Sequence, residues 1–157
     1  RLINRVNLML EQLEQVSIAS VNGYAIGAGV GLMLACDFRI AAEGAEFWLP
    51  EVDLGVPLGT GSTARLTRLV GPSKAKELIM TCDHFDAHEA LRLGIVNRVV
   101  PLEKLPETTW AFAKMLAGKN AKAIALSKAT VNAVVRGNGG EATLLSPEHF
   151  ITIPPQS

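Results

Sequence analysis

Ser20-Val-Asn-Gly-Tyr-Ala-Ile-Gly-Ala-Gly-Val-Gly-Leu-Met-Leu-Ala-Cys-Asp37 is the stretch whose reading decides the fold. It begins inside a short buried-strand pattern, Ile18-Ala19-Ser20-Val21, that breaks at Asn22-Gly23. Tyr24-Ala25-Ile26 then leads into Gly27-Ala28-Gly29-Val30-Gly31, and Leu32-Met33-Leu34-Ala35 continues as a helical run. A strand that passes into a helix through small residues belongs to α/β or layered α+β architecture. Upstream, Leu2, Val6, Met9, Leu13 and Val16 recur at helical spacing, with Ile3 and Leu10 widening the stripe. Residues 1–16 therefore read as an amphipathic helix.

Downstream, residues 38–42 and 46–49 read as short strands around a turn at Glu43-Gly44. Residues 50–61 are loop-like, punctuated by Pro50, Gly55, Pro57, Gly59 and Gly61. Helical patterns cover 62–70 and 73–82, separated by Gly71-Pro72. Asp86-Ala-His-Glu89 has the spacing of a capping box and opens a short helix that stops at Gly94. Residues 95–100 read as a strand ending at Pro101, and helices fit 103–117 and 121–136. After Gly140 the tail has no clear period. There is no sequence repeat of fixed period and no low-complexity linker to mark a second domain.

Composition removes several classes of function. The 157 residues suffice for a buried core without staples. Apolar residues make up 48% and charged residues 19%, the balance of a globular chain. Fifteen Lys and Arg cancel fifteen Asp and Glu, so no net field favours nucleic acid or an anionic membrane. Aromatic residues at 5% provide no stacking platform for bases. The most apolar run, residues 21–36, is shorter than the ~20 residues of a membrane span and carries four glycines. Cys36 and Cys82 cannot build a disulfide framework and suit a reducing compartment.

Two places can carry chemistry. The glycine-rich turn opens a helix, where unpaired N–H groups and the positive dipole end favour an anion. A dinucleotide fingerprint would need a third glycine at position 32, which is Leu32, and no Gly-Lys-Ser/Thr follows to make a phosphate loop. The turn then reads either as a cradle for one oxyanion or as small residues that let helix and strand pack closely. Glu51 follows Trp48-Leu49-Pro50 and precedes Val52. A carboxylate among apolar neighbours is suited to carrying a proton, and the plain alternative is a solvated loop glutamate.

Other constellations are weaker. Cys82-x-His84-x3-His88 has ligand-type residues, but Asp86 breaks the helix between the histidines and no second ligand pair exists, so no metal is expected. Ser62 lies in Gly-Thr-Gly-Ser-Thr rather than in a nucleophile elbow, and His149 sits in the irregular tail, leaving a catalytic triad unsupported.

The stretch from Ser20 to Asp37 resembles the signature of the crotonase (enoyl-CoA hydratase/isomerase) superfamily. Ala45-Glu-Phe-Trp-Leu-Pro-Glu-Val-Asp-Leu-Gly55 continues that resemblance in register, as does Gly59-Thr-Gly-Ser-Thr-Ala-Arg-Leu-Thr-Arg-Leu-Val-Gly71. Ala87-His-Glu-Ala-Leu-Arg-Leu-Gly-Ile-Val-Asn-Arg-Val-Val-Pro101 closes it. The resemblance covers residues 1 to about 136. It implies an α/β fold, a crotonase-like spiral of ββα units with a helical C-terminal region. Residues 1–101 would form the C-terminal part of the ββα core, and 102–157 the helical region and tail. Family members carry an earlier region that supplies a second N–H donor and much of the coenzyme A contact. By this resemblance Arg1 begins on the helix after it, so the N-terminal part is expected to be missing.

The same resemblance implies an acyl-CoA thioester as substrate, with coenzyme A part of that substrate and no separate cofactor. Assembly as a homotrimer or dimer of trimers is implied, without nucleic acid or membrane, in the cytoplasm, or in the mitochondrial matrix or peroxisome of a eukaryote. Ala28 stands where the family supplies one oxyanion N–H, and Gly27, Gly29, Pro50 and Gly59 would bind substrate. Hydratases of the family use two glutamates. Glu51 matches the second, whereas the first is replaced by Gly31. Adding water asks for one carboxylate to activate it and another to order it, while one base suffices to shift a double bond. Gly31 thus favours Δ3–Δ2 enoyl-CoA isomerisation, with Glu51 as proton shuttle, over the alternative of an enoyl-CoA hydratase. A non-catalytic acyl-CoA-binding or assembly subunit, and other enolate reactions of the superfamily, stay open beside these.

Overall fold

The computed structural model describes residues 2–137, so the tail after Gly140, with His149, lies outside the described residues. Helix α1 (Leu2–Gln12) is followed by strands β1 (Ile18–Val21) and β2 (Tyr24–Ile26) and helix α2 (Ala28–Ala35). The pattern repeats with β3 (Phe38–Ala42), β4 (Glu46–Trp48) and α3 (Thr60–Thr81). A last unit consists of β5 (Phe85–Asp86), α4 (Ala87–Arg92) and β6 (Arg98–Val100). A 3₁₀ turn at Leu102–Lys104 then leads to α5 (Leu105–Ala117) and α6 (Ala121–Val135).

Each unit contributes one strand to each of two sheets. The first sheet has the order β1-β3-β6 and the second β2-β4-β5. β1 pairs parallel with β3 (Ile18 opposite Phe38) and β2 parallel with β4 (Tyr24 opposite Glu46), steps of 20 and 22 residues. This is the spiral of ββα units. It is a structural repeat that no residue pattern announces, because each turn fills a differently shaped part of the core. β6 extends the first sheet in parallel, while β5 closes the second sheet antiparallel to β4.

The alternation of strand side chains divides the core. Ile40 and Ala42 of β3 pack with Leu105, Ile18 and Phe112 on the side covered by α5. Ala41, between them, belongs with Val30, Met33, Leu34, Phe47, Leu49, Leu66, Leu78 and Ile95 in the main core. Phe47 is fully buried and stacks on Phe85 with ring centroids 5.3 Å apart. Arg39 is buried too: its side chain donates to the carbonyls of Ile95 and Cys36, and burial pulls its pKa down despite the favourable thiol and Asp37 nearby. Asp37 accepts from the N–H and hydroxyl of Ser17 and pairs with Lys128 at 2.8 Å, which ties α6 to the start of β3.

Several sequence expectations change. α2 starts at Ala28, not Leu32, because the glycines enter the helix instead of preceding it. The fused run α3 breaks at Gly71, whose φ of 79° and ψ of 164° suit glycine and separate two helices across Gly71-Pro72, as the sequence implies. Ile95 and Val96 are buried but lie in a turn, so the strand is only Arg98–Val100. Asp86 caps α4 by accepting from the Glu89 N–H at 2.7 Å, yet the Glu89 side chain pairs with Arg92 and no reciprocal capping box forms. α1 ends at Gln12, and its expected core stripe faces outward: Leu2, Val6, Met9 and Leu13 are 42–76% exposed. The residue of α1 that is buried is Asn7. No helix among the described residues is long and apolar enough to cross a membrane.

Candidate functional site

The parallel pairing of β2 with β4 brings the glycine turn next to Pro50 and Glu51. Gly27 ends β2 by donating its N–H to the Trp48 carbonyl at 2.8 Å, the last rung before both strands turn away. Its φ of 49° and ψ of −106° are open only to a residue without Cβ. The chain thereby reverses into α2 within one residue, and Ala28 becomes the first residue of that helix. Its N–H precedes the i→i−4 ladder and has no acceptor within the helix. Ala28 and Gly29 are exposed, whereas Gly27 and Gly31 are buried.

Glu51 lies directly against this turn. A Cβ added to Gly27 would stand 2.8 Å from Glu51 Oε1 and 3.8 Å from Pro50 Cδ. The other carboxylate oxygen, Oε2, is buried and has no hydrogen-bond partner among the described residues. A partly buried carboxylate with an unpaired oxygen beside a free helix N-terminus has the parts needed to move a proton next to a developing negative charge. The backbone after Glu51 holds it in place: the N–H groups of Leu54 and Val56 both donate to its carbonyl, at 3.1 and 2.9 Å.

Gly31 sits one helical turn beyond Gly27, and its N–H donates to the Gly27 carbonyl at 3.0 Å. The space beside it is taken. A Cβ at position 31 would stand 2.5 Å from Ser62 Oγ and 3.4 Å from Asn7 Nδ2. Ser62 is 6% exposed, and Asn7 is fully buried with neither side-chain amide atom paired among the described residues. The polar atoms of Asn7 and Ser62 therefore gather where residue 31 has no side chain. Neither stands out in the sequence, where Ser62 reads only as a candidate nucleophile and Asn7 lies among the residues of an apolar stripe. The signal that could have found Asn7 is an amide at a helix position that the fold turns inward.

Of the remaining expected substrate-binding residues, Gly59 caps the start of α3, where a Cβ would meet Asn4 Oδ1 at 3.5 Å. Gly29 faces open space. The structure thus brings Gly27, Ala28, Pro50 and Glu51 together, and places Gly59 three residues before Ser62 on the side facing α1. His84 stacks on Trp48 with centroids 4.5 Å apart. Two cavities, of about 410 and 760 Å3, lie between the β1–β3 side and the C-terminal helices. Neither is lined by Glu51 or by the glycine turn.

Residues 4–150 match the family model described as Enoyl-CoA hydratase/isomerase. A crotonyl-CoA hydratase of Syntrophomonas wolfei is 49% identical over 129 residues, which cover 82% of this chain and 49% of that protein. The chain spans about half the length of that protein and of a short-chain-enoyl-CoA hydratase of Clostridium acetobutylicum. A solved enoyl-CoA hydratase from Bacillus anthracis superposes with a TM-score of 0.89 at 38% identity, covering 94% of this chain and 57% of that one. A monofunctional enoyl-CoA isomerase from M. smegmatis superposes with a TM-score of 0.83 at 36% identity, covering 93% and 69%. Since the match runs through every ββα unit and through the glycine turn itself, this chain belongs to the enoyl-CoA hydratase/isomerase family.

Proposed function

We propose that this chain carries the enolate-stabilising and proton-transfer half of an acyl-CoA enzyme, and that the reaction is hydration of a short 2-enoyl-CoA. Glu51 takes a proton from water as the water oxygen bonds to C3. The π pair of the C2–C3 bond moves toward the thioester carbonyl, and the resulting enolate oxygen is held by the Ala28 N–H. The proton on Glu51 then passes to C2, which restores the carbonyl and completes addition of one water. One good oxyanion donor contributes about 3 kcal/mol to such a step.

The observation that carries this reading is the contact between the Glu51 carboxylate and the turn that opens α2. Hydration takes the place of isomerisation, the reaction that Gly31 favours in the sequence, because the names of strongly matching relatives are those of hydratases. Isomerisation of a 3-enoyl-CoA is the second reading, supported by the absence of a side chain at Gly31 and by the likeness to an isomerase of known structure. In that case Glu51 would take a proton from C2 and return it at C4.

The test is the complete protein offered a 2-enoyl-CoA and a 3-enoyl-CoA in parallel, with products resolved by mass. A water adduct from the 2-enoyl thioester is expected. Conjugation of the 3-enoyl thioester without hydration would replace the first reading by the second, and silence on both would favour a binding or assembly subunit.

A further inference from the structure

α6 meets the body of the protein through one polar stripe. Lys128, Asn132 and the capping residue Arg136 are spaced by four residues and so share a face of the helix. Lys128 donates to the Gln15 carbonyl and pairs with Asp37, both at 2.8 Å. Asn132 donates to the Glu11 carbonyl at 3.1 Å, and Arg136 lies 3.6 Å from the Glu11 carboxylate. Ala133 is the residue of α6 that is buried. The space left beneath the helix is the larger cavity, of about 760 Å3, within the roughly 300–1,000 Å3 of ordinary small-molecule pockets. Its walls are apolar: Leu34, Phe38 and Leu69 on the body, Leu116, Ile124 and Val131 on the C-terminal helices. The cleft is also cationic. Arg39, Arg65, Arg68, Lys119 and Lys128 line it against the carboxylates of Glu11 and Asp37, in a chain of zero net charge. Both carboxylates are engaged, Glu11 by Arg65 and Asp37 by Lys128, and Arg39 donates to backbone carbonyls. Arg68 and Lys119 have no carboxylate partner among the described residues. The buried Nε of Arg65 has no acceptor among them either. Arg65 and Arg68 are three residues apart on α3 and therefore neighbours on its surface. An unsatisfied buried donor beside an unpaired guanidinium calls for an anion.

We infer that the cleft under α6 is a binding site for an apolar chain ended by a carboxylate, of the class of a medium-chain fatty acid. The chain lies against Leu34, Phe38, Leu69 and Ile124. The carboxylate accepts hydrogen bonds from Arg65 Nε and the Arg68 guanidinium, and Lys119 adds to the attraction. A neutral chain would leave the cations unpaired, and a short acid would leave the apolar walls uncovered, so both parts of the ligand are needed. Neither Glu51 nor the glycine turn lines this cleft, and the inference does not rest on the proposed reaction.

The experiment titrates the complete protein by calorimetry with decanoate, below its micelle-forming concentration, and in parallel with decanol and with acetate. Saturable binding of decanoate is expected, with decanol and acetate each weaker by about tenfold or more. Arg68→Gln removes a charge at an exposed position and is expected to weaken decanoate about tenfold while leaving decanol unchanged. Ala123→Trp, at an exposed position of α6 that lines the cleft, puts an indole into the space and should weaken both ligands. Urea unfolding of each variant, with a midpoint near that of wild type, shows that its fold is kept. Absence of saturable binding, equal binding of decanol, or unchanged decanoate affinity in both variants overturns the site. So does decanoate that a saturated acyl-CoA displaces and that Arg68→Gln does not affect, because it then occupies the site of Glu51.

Discussion

The Glu51 carboxylate rests against the Cα of Gly27, with Oε1 2.8 Å from the place a Cβ would take. A side chain at 27 would meet that oxygen and would also have to adopt a φ of 49° with ψ of −106°. Gly27→Ala is therefore expected to cost about 2 kcal/mol of stability. It should also displace the carboxylate, which would lower kcat more than it raises KM. Urea unfolding and steady-state kinetics on the complete protein check both parts. A variant as stable and as active as wild type would show that the contact constrains nothing.

Glu51→Gln preserves the shape of the side chain but removes its capacity to accept a proton. Turnover is expected to fall ~10²–10⁴-fold, the usual contribution of a general acid–base group. Acyl-CoA affinity, read by calorimetry with a saturated analogue, should change little. A drop of less than about tenfold would point to another proton carrier.

Gly31 and Ser62 are coupled by space. Gly31→Ala places a methyl group 2.5 Å from Ser62 Oγ and is expected to destabilise by about 1–3 kcal/mol. Adding Ser62→Gly removes the obstructing atom, so the double variant should recover most of that loss. Thermal or urea unfolding of the four members of this cycle measures the coupling, and additive single effects would contradict it.

Arg39 contributes to stability rather than to chemistry. It is 6% exposed, and its guanidinium donates to the carbonyls of Ile95 and Cys36. Arg39→Leu keeps bulk in the core but leaves two carbonyls unpaired, an expected cost of about 3 kcal/mol. Denaturant unfolding reads it directly. The accompanying loss of the turn that carries Ile95 should show as faster amide exchange at Asn97, whose N–H donates to the Arg39 carbonyl.

The strands β1, β3 and β4 and the helices after Pro101 are legible in the sequence because alternation, turn residues and helical spacing all agree there. α2 is harder. Its residues are apolar on nearly every side, so no stripe marks where it begins, and only the backbone angles of Gly27 show that Ala28 is its first residue. β5 is two residues long and has no pattern to offer. The outward stripe of α1 misleads because periodicity identifies an apolar face without saying what covers it. In the site, Glu51 and the glycine turn are visible as neighbours in a motif. Asn7, Gly31 and Ser62 come from three different helices, and local sequence carries no record of such a meeting.

The spiral also shapes how the chain acquires its structure. Pairing β1 with β3 closes a register of 20 residues and β2 with β4 one of 22, whereas β6 joins β3 across 58, from Ile40 to Arg98. Loop-closure entropy makes the long step costlier by about 0.9 kcal/mol before any contact offsets it. Ile18 to Trp48 can therefore pair as a unit soon after it leaves the ribosome, with the glycine turn and α2 already inside it. Closure by Arg98–Val100 comes after the whole of α3 has been made. On this order the start of α2 forms early, and β6, the last strand of the first sheet among the described residues, joins after it.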